Sequence, residues 1–286
     1  MKALMKLLPM AAAILFTGCA SIMDRQFAYQ HDHSKAYNVA RAGDLFEGIK
    51  DTAVPIGQSQ ALSNAVLTTG YAGANFLNPQ LGMSNWTIGG LSLLDSFLAP
   101  DSHSERNSLL AWMPIDMADS DEEAQAVMLE AVKQSSIAAL GQLGIENKSI
   151  YSTEEFVSID ILNESWGCYD FKAYKERGAN RCRIKIYIFE PFKHKTPDFV
   201  SESRDEIWKF RANHKYDYNR IHFDIDEGSD VPTDQIYQQI SKLLPSWAYL
   251  YVAPRKIKND GKTDYTFPYI LNEGEINLFV KESKAP

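Results

Sequence analysis

Apolar and polar side chains follow recognisable periods over the C-terminal two thirds of this chain. Short apolar runs, and apolar residues at every second position, predict strands because successive side chains of a strand point to opposite faces. The predicted strands are Ser108–Met113, Phe156–Leu162, Arg183–Phe189, Arg220–Asp226, Trp247–Val252 and Glu275–Lys281. The fifth of these is apolar on both faces, which is typical of an interior strand.

Two segments follow the helical period instead. Ser120 and Glu123 form a capping box, which predicts an N-cap at Ser120. The apolar face of this helix is Ala124, Val127, Met128, Ala131 and Val132, and Gly141 and Gly144 mark its end. A second helix begins near Pro232 and stops at Pro245, with Ile236, Ile240, Leu243 and Leu244 on one face.

These elements occur in the order β-α-β-β, then a polar, aromatic-rich stretch over residues 191–219, then β-α-β-β. The order predicts an α+β domain over residues 101–286. We expect a mixed or antiparallel sheet with helices on one face, built from βαβ units of which the ferredoxin-like arrangement is one form. A small helical, glycine-rich segment is expected to precede this domain.

That segment, residues 51–100, has an unusual composition. No charged residue occurs over the 43 positions from Thr52 to Leu94. Closely spaced glycines allow two backbones to approach each other. One hypothesis is a partner interface formed by Gly70, Gly73, Phe76, Trp86, Gly89 and Gly90. The alternative is a helical hairpin buried against the chain's own domain, since large exposed apolar patches are rare on monomers.

The N-terminus has the zones of a secretory signal over residues 1–18. Lys2 and Lys6 precede an uncharged apolar stretch, and small residues lead into Cys19. Phe16-Thr17-Gly18-Cys19 resembles the lipobox of bacterial lipoproteins, although that motif usually has leucine at its first position. A plain signal peptide and a membrane anchor are the alternatives, but the apolar stretch is shorter than the roughly 20 residues of a spanning helix.

The resemblance implies cleavage before Cys19 and acylation of its thiol, which would anchor the chain to a membrane. Ala20 stands where enterobacterial lipoproteins of the inner membrane carry aspartate, so the resemblance implies the outer membrane, facing the periplasm. Residues 19–50 are expected to be an acylated tether. Within it, His31-Asp32-His33 has metal-binding side chains, but solvated histidines are the commoner case.

Charge and cysteine usage narrow the classes of function. Without Lys2 and Lys6 the chain has 27 basic and 37 acidic side chains, which argues against a nucleic-acid partner. Cys168 and Cys182 are expected to form a disulfide in the oxidising periplasm, where the bridge would contribute roughly 3 kcal/mol. A two-thiolate metal site is the alternative, but it lacks convincing histidine partners.

Candidate chemistry is sparse. The sequence has no nucleophile elbow, phosphate-binding loop or zinc helix, and it indicates no cofactor or metal. The best acid–base candidates are His222, Asp224 and Asp226, which share one face of a predicted strand; a solvated polar face explains them equally well. C-terminal aromatic residues indicate either a ligand groove or core: Trp247, Tyr249, Tyr251, Tyr265, Phe267 and Tyr269.

Two hypotheses of function follow. The first is a non-enzymatic lipoprotein that works in an envelope assembly, such as a secretion, conjugation or surface-structure apparatus, through envelope proteins or self-association. The second is a periplasmic hydrolase or ligand-binding domain that uses the face of His222, Asp224 and Asp226.

Overall fold

A computed structural model describes residues 27–45, 49–57, 106–200, 205–212, 219–254, 256–259, 262–265 and 268–283. The helices are α1 (Lys35–Ala42), α2 (Asp121–Gln142), α3 (Phe171–Arg177) and α4 (Thr233–Leu243). The strands are β1 (Thr52–Pro55), β2 (Ser108–Pro114), β3 (Glu146–Ser152), β4 (Phe156–Leu162), β5 (Cys182–Tyr187), β6 (Phe192–Lys195), β7 (Glu206–Phe210), β8 (Arg220–Ile225), β9 (Ala248–Val252), β10 (Lys256–Asn259), β11 (Lys262–Tyr265), β12 (Tyr269–Asn272), β13 (Glu275–Leu278) and β14 (Val280–Ser283).

The strands form two main antiparallel sheets. One has six strands in the order β13-β12-β9-β2-β7-β6, and the other has four in the order β3-β4-β5-β8. Two smaller pairs accompany them, a β10–β11 hairpin and a parallel β1–β14 pair. The predicted α+β class is therefore confirmed.

The main core lies between the sheets and the two longer helices. Helix α2 packs on the four-stranded sheet, α4 packs on the six-stranded sheet, and the two helices contact each other. Strand β2 shows why both faces of the larger sheet are covered. Its Leu109 and Met113 belong to this core, whereas Leu110 and Trp112 point to the opposite face.

A second apolar cluster covers that opposite face, and the N-terminal segment supplies six of its fifteen buried residues. Val39 and Ala40 of α1 and Leu45 beyond it are fully buried against the sheet. Gly43 lies so close to Leu110 that an added Cβ would come within 2.8 Å of that side chain, which explains glycine at this position. Residues 27–45, which the sequence assigns to the tether, are therefore part of the packed structure.

Polar contacts also fix this segment. The fully buried Asn38 accepts a hydrogen bond from the backbone N–H of Gln30 at 2.7 Å and donates to its carbonyl at 3.0 Å. His33 lies with Nδ1 3.0 Å from Asp51 and stacks on the ring of Tyr37. Of the two histidines in His31-Asp32-His33, His33 therefore has a structural role, since it contacts Asp51.

The predicted cap and disulfide are confirmed. The Ser120 hydroxyl accepts a hydrogen bond from the backbone N–H of Glu123 at 3.2 Å, and α2 begins at Asp121. Cys168 and Cys182 form a disulfide with their Cα atoms 5.3 Å apart. The chain between them contains helix α3, which the sequence analysis did not predict.

One predicted strand was wrong in its extent. Glu275–Lys281 is interrupted at Phe279, where the chain leaves β12 and pairs with β1 instead. The buried ring of Phe279 and the bond from the Thr52 N–H to its carbonyl explain the break. The sequence also did not predict β1, β3, β6, β7, β10, β11 or β12.

Several predictions lie outside the described residues. These are the signal peptide, the lipobox with Cys19, and the interface residues Gly70, Gly73, Phe76, Trp86, Gly89 and Gly90. Among the helices that the structure describes, none combines the length and apolar character needed to cross a membrane.

Candidate functional site

The predicted acid–base residues lie on β8, the strand of the four-stranded sheet that neighbours β5. Ile221 points into the core, so alternation turns His222 and Asp224 toward the face opposite α2. We call this the outer face. Asp226 lies one residue beyond the strand, and its carboxylate accepts the backbone N–H of Arg181 at 2.7 Å. The structure therefore brings His222 and Asp224 together and gives Asp226 a role at the sheet end.

Strand register sets the neighbours of these two residues. Asp224 lies opposite Arg183, and His222 lies opposite Lys185. On the other side of β5, Arg183 is opposite Asp160 and Lys185 is opposite Ser158. The side chains of the outer face thus form short rows that cross the sheet, and in the rows of Asp224 and His222 the β5 side chain is basic.

Two cations hold the Asp224 carboxylate. Lys185 Nζ lies 2.7 Å from Oδ2 of Asp224, and the Arg183 guanidinium contacts the same oxygen. Burial alone would raise the pKa of Asp224, but the Lys185 hydrogen bond and the charges of both cations outweigh it and lower the pKa. This carboxylate is consequently ionised and occupied, which suits a structural or binding role better than proton transfer.

His222 has a different environment. Its ring stacks on Tyr187 with centroids 5.9 Å apart and an angle of 10° between the planes. Burial, followed by the charges of Arg220 and Lys185, lowers the pKa of His222 to about 4. Nδ1 is buried without a hydrogen-bond partner, so Asp224 does not orient the imidazole through that atom. At neutral pH the ring is uncharged and acts as part of an aromatic surface.

A line of rings crosses the outer face at the end of the sheet away from α3. Ring centroids are 5.9 Å apart for Tyr151 and Phe156 and 4.5 Å apart for Phe156 and Tyr187. The Arg220 guanidinium lies 4.1 Å from the centroid of Tyr187, a distance typical of a cation–π contact. Tyr151 at the edge strand is 59% exposed, so its ring is available to solvent.

The end of the outer face near α3 is closed by a buried ion pair. Arg181 Nη2 donates to the two oxygens of Asp160 at 2.8 and 3.1 Å, and both side chains are buried. Burial raises the pKa of Asp160, and Arg181 opposes the rise. Phe171 and Tyr174 of α3 cover the guanidinium, with their centroids 4.9 and 5.6 Å away. This pair stabilises the position of the short helix and leaves no free charge.

Sequence reasoning missed the residues of β5 that dominate this site. The strand was predicted, but its outward-pointing side chains were not identified as candidates for a site. The alternating positions between them are Arg183, Lys185 and Tyr187. Period-two alternation alone places these three side chains on one face, so the signal was present in the sequence.

A separate cavity of about 470 Å³ lies beside the disulfide. Acidic and basic side chains share its wall, including Glu146, Glu164, Asp170 and Arg177. Asp170 is already engaged, since it accepts the N–H of Ala173 as the N-cap of α3. Within the described ranges, histidine, cysteine and acidic side chains form no group of three that could hold a metal ion.

The C-terminal aromatic residues that the structure describes belong mainly to the core. Tyr249, Tyr251 and Tyr269 are buried in the six-stranded sheet, and Trp247 packs partly buried against the main core. Burial raises the pKa of Tyr249 to about 12. The core interpretation is confirmed for these three tyrosines; Phe267 and the side chain of Tyr265 lie outside the described set.

Comparisons of this chain with protein-family models, with curated proteins and with solved structures find no match.

Proposed function

We propose that this chain is a membrane-anchored periplasmic lipoprotein with a structural or assembly role in an envelope complex. The lipobox resemblance supplies the anchor at Cys19, and the disulfide between Cys168 and Cys182 is typical of an exported protein. The acyl chains would hold it to the outer membrane, with the domain in the periplasm.

The observation that carries the proposal is the packing of the N-terminal segment. Phe27 is already in contact with the domain, its ring 6.3 Å from that of Phe199. Only residues 20–26 separate it from Cys19. Even fully extended, that link spans about 30 Å at most. A domain on so short a link stays beside the bilayer, which suits a component that holds a fixed position in an assembly.

The described residues on both sides of the glycine-rich segment support its display to a partner. Strand β1 ends at Pro55 and is fixed by its pairing with β14, and the chain enters the six-stranded sheet at Ser108 in β2. The stretch 58–105 thus leaves and rejoins the folded domain at the described residues Gly57 and Arg106. We assign partner binding to this insertion, through Gly70, Gly73, Phe76, Trp86, Gly89 and Gly90.

The test is the native mass of the acylated protein extracted in mild detergent from its own host. We expect a defined particle that contains other envelope proteins or further copies of this chain. The matched variant has residues 58–94 replaced by a Gly/Ser linker of equal length. This variant should lose its partners and keep the urea midpoint of the domain. A wild-type protein that is a lone monomer would contradict the proposal, and a variant that unfolds would show that the insertion is core.

The second candidate is a ligand-binding or hydrolytic domain that uses the outer face. The observation that favours it is the concentration of basic and aromatic side chains around His222 and Asp224 on an otherwise acidic protein. A soluble extract of the envelope should raise the unfolding temperature of the wild type and not that of the His222→Gln/Asp224→Asn variant. Equal shifts for both proteins would contradict this candidate.

A further inference from the structure

We propose that the outer face binds an anionic glycan, a polymer of sugar rings that bear carboxylates. The site extends from the row of Arg183 and Asp224 to the end of the outer face away from α3. It consists of Tyr151, Phe156, Arg183, Lys185, Tyr187, Arg220 and His222, which we call the basic-aromatic patch. The proposal rests on the second candidate function and names its ligand class.

Charge is the first support. Arg183 and Lys185 both contact one carboxylate, Asp224, and the Arg220 guanidinium lies over the Tyr187 ring, while the chain as a whole has a net formal charge of −8. The two acidic side chains nearer α3 are otherwise engaged, Asp160 with Arg181 and Asp226 with a backbone N–H. The patch is therefore a local positive region on an acidic protein, and an anion complements it.

The donors of the patch are accessible and incompletely used. Arg183 and Lys185 are 27% and 25% exposed. An ammonium has three donors, and Asp224 takes one of those of Lys185. A carboxylate that approaches from solvent would meet both side chains, because they follow each other on β5 at about 7 Å, two residues of a strand.

Rings beside the cations give the ligand its second property. Tyr151 presents an exposed ring at one edge, and Phe156, Tyr187 and His222 continue the line across four strands. Neutral aromatic surfaces offer apolar contact area to the C–H faces of sugars. Four strands at about 4.8 Å spacing make a patch roughly 14 Å wide, which accommodates several linked rings.

A sugar polymer fits these features better than a nucleic acid. Nucleic acids carry a dense row of phosphates, and the binding of such a polyanion is driven mainly by many basic contacts. Here a carboxylate, Asp224, lies between two cations, Arg183 and Lys185, and the whole protein is acidic. A polymer whose rings carry many hydroxyl groups beside their carboxylates matches both the cations and the Asp224 oxygens, which accept hydrogen bonds.

The test is the binding of full-length acylated protein, in detergent micelles, to immobilised polygalacturonate. Neutral dextran and a single-stranded oligonucleotide serve as comparison polymers. We expect binding to polygalacturonate at low salt, at least tenfold weaker binding at about 0.5 M salt because of screening, and none to dextran. The Arg183→Gln/Lys185→Gln variant should bind at least tenfold more weakly, and Tyr151→Ala should also bind more weakly.

The matched control is Lys133→Gln/Lys242→Gln, which removes the same charge from helices α2 and α4 and should bind within about twofold of the wild type. Equal loss in both double variants would overturn the proposal, as would tighter binding of the oligonucleotide or comparable binding of dextran. If polygalacturonate fails while the envelope extract still stabilises only the wild type, the ligand class is wrong and the second candidate function stands. If both fail, the outer face has no ligand.

Discussion

The ammonium group of Lys209 lies 3.0 Å from both carboxylate oxygens of Asp44. Lys209 belongs to β7 and its side chain is only 6% exposed, whereas Asp44 follows α1 in the N-terminal segment. Burial lowers the pKa of Lys209, and the nearby carboxylate opposes that shift. A single ion pair thus joins the segment that follows the lipobox to the larger sheet.

We expect Asp44→Asn to lower the free energy of unfolding by about 3 kcal/mol, because it leaves the Lys209 charge buried without its partner. Asparagine tolerates the left-handed backbone of this position, where φ is 66°, so strain does not confuse the result. Urea denaturation with linear extrapolation measures the change. The Asp44→Asn/Lys209→Met variant should recover most of the loss; a double variant as unstable as the single one would contradict the ion-pair explanation.

The pH dependence of stability should report on His222. Its pKa is lowered to about 4 in the folded protein, so folding favours the neutral imidazole. The resulting stability is fully present above the ordinary histidine pKa of about 6.5 and is lost as the pH falls toward 4. Between pH 7 and pH 4.5 the wild type should lose about 1 to 2 kcal/mol more than His222→Gln, a value reduced for partial solvent exposure.

Two measurements check this expectation. Urea denaturation at the two pH values gives the difference between wild type and variant. The NMR titration of the His222 ring gives the pKa itself, and a midpoint near 6.5 would show that the imidazole is exposed and that the outer face is more open than described.

Removal of the disulfide should destabilise the domain. Replacement of both Cys168 and Cys182 by alanine opens a bridge whose ends are 14 positions apart. The chain-entropy model gives a loss of about 3 kcal/mol, to which the buried position of both sulfur atoms adds a small packing loss. Thermal unfolding of the wild type with and without a reductant is the companion measurement, and no change in either experiment would exclude a stabilising bridge.

The two ion pairs of the four-stranded sheet should differ in cost. Asp160→Asn leaves Arg181 charged and buried, and we expect a loss of about 3 kcal/mol. Asp224→Asn breaks contacts with Arg183 and Lys185 that are partly exposed, so its cost should be about 1 kcal/mol or less. Urea denaturation of the two variants in parallel tests the ranking. Equal losses in the free energy of unfolding would contradict the explanation that the difference in burial sets the cost.

Local patterns were sufficient for much of the fold. The capping box at Ser120, the alternation of β4 and the apolar strand β9 all depend on neighbouring residues, and each was predicted near its observed bounds. Elements whose pattern depends on distant contacts were missed. Strand β7 contains the buried Lys209. From sequence alone a lysine is expected at the surface, and its burial is explained only by the contact with the distant Asp44.

The candidate site shows the same division. His222 and Asp224 were predicted to share a face because period two requires it. Their electrostatic state could not be predicted, since it depends on Lys185 and Arg183 of another strand, whose register no local pattern specifies. The packing of the N-terminal segment was the feature that the sequence predicted least well. Val39 is buried because it packs in the cluster on the larger sheet, and the buried Asn38 is held by hydrogen bonds to Gln30 and Ser34; no local repeat indicates either contact.

Hydrogen–deuterium exchange of the amides of α1, in the full-length acylated protein, tests most directly whether the N-terminal segment holds the domain near its anchor. We expect amides from Asn38 to Ala42 to exchange nearly as slowly as those of β9, and Asp44→Asn to speed them selectively. Exchange of α1 at the rate of an unstructured peptide, while β9 stays protected, would contradict the packed segment and with it the short link to the membrane.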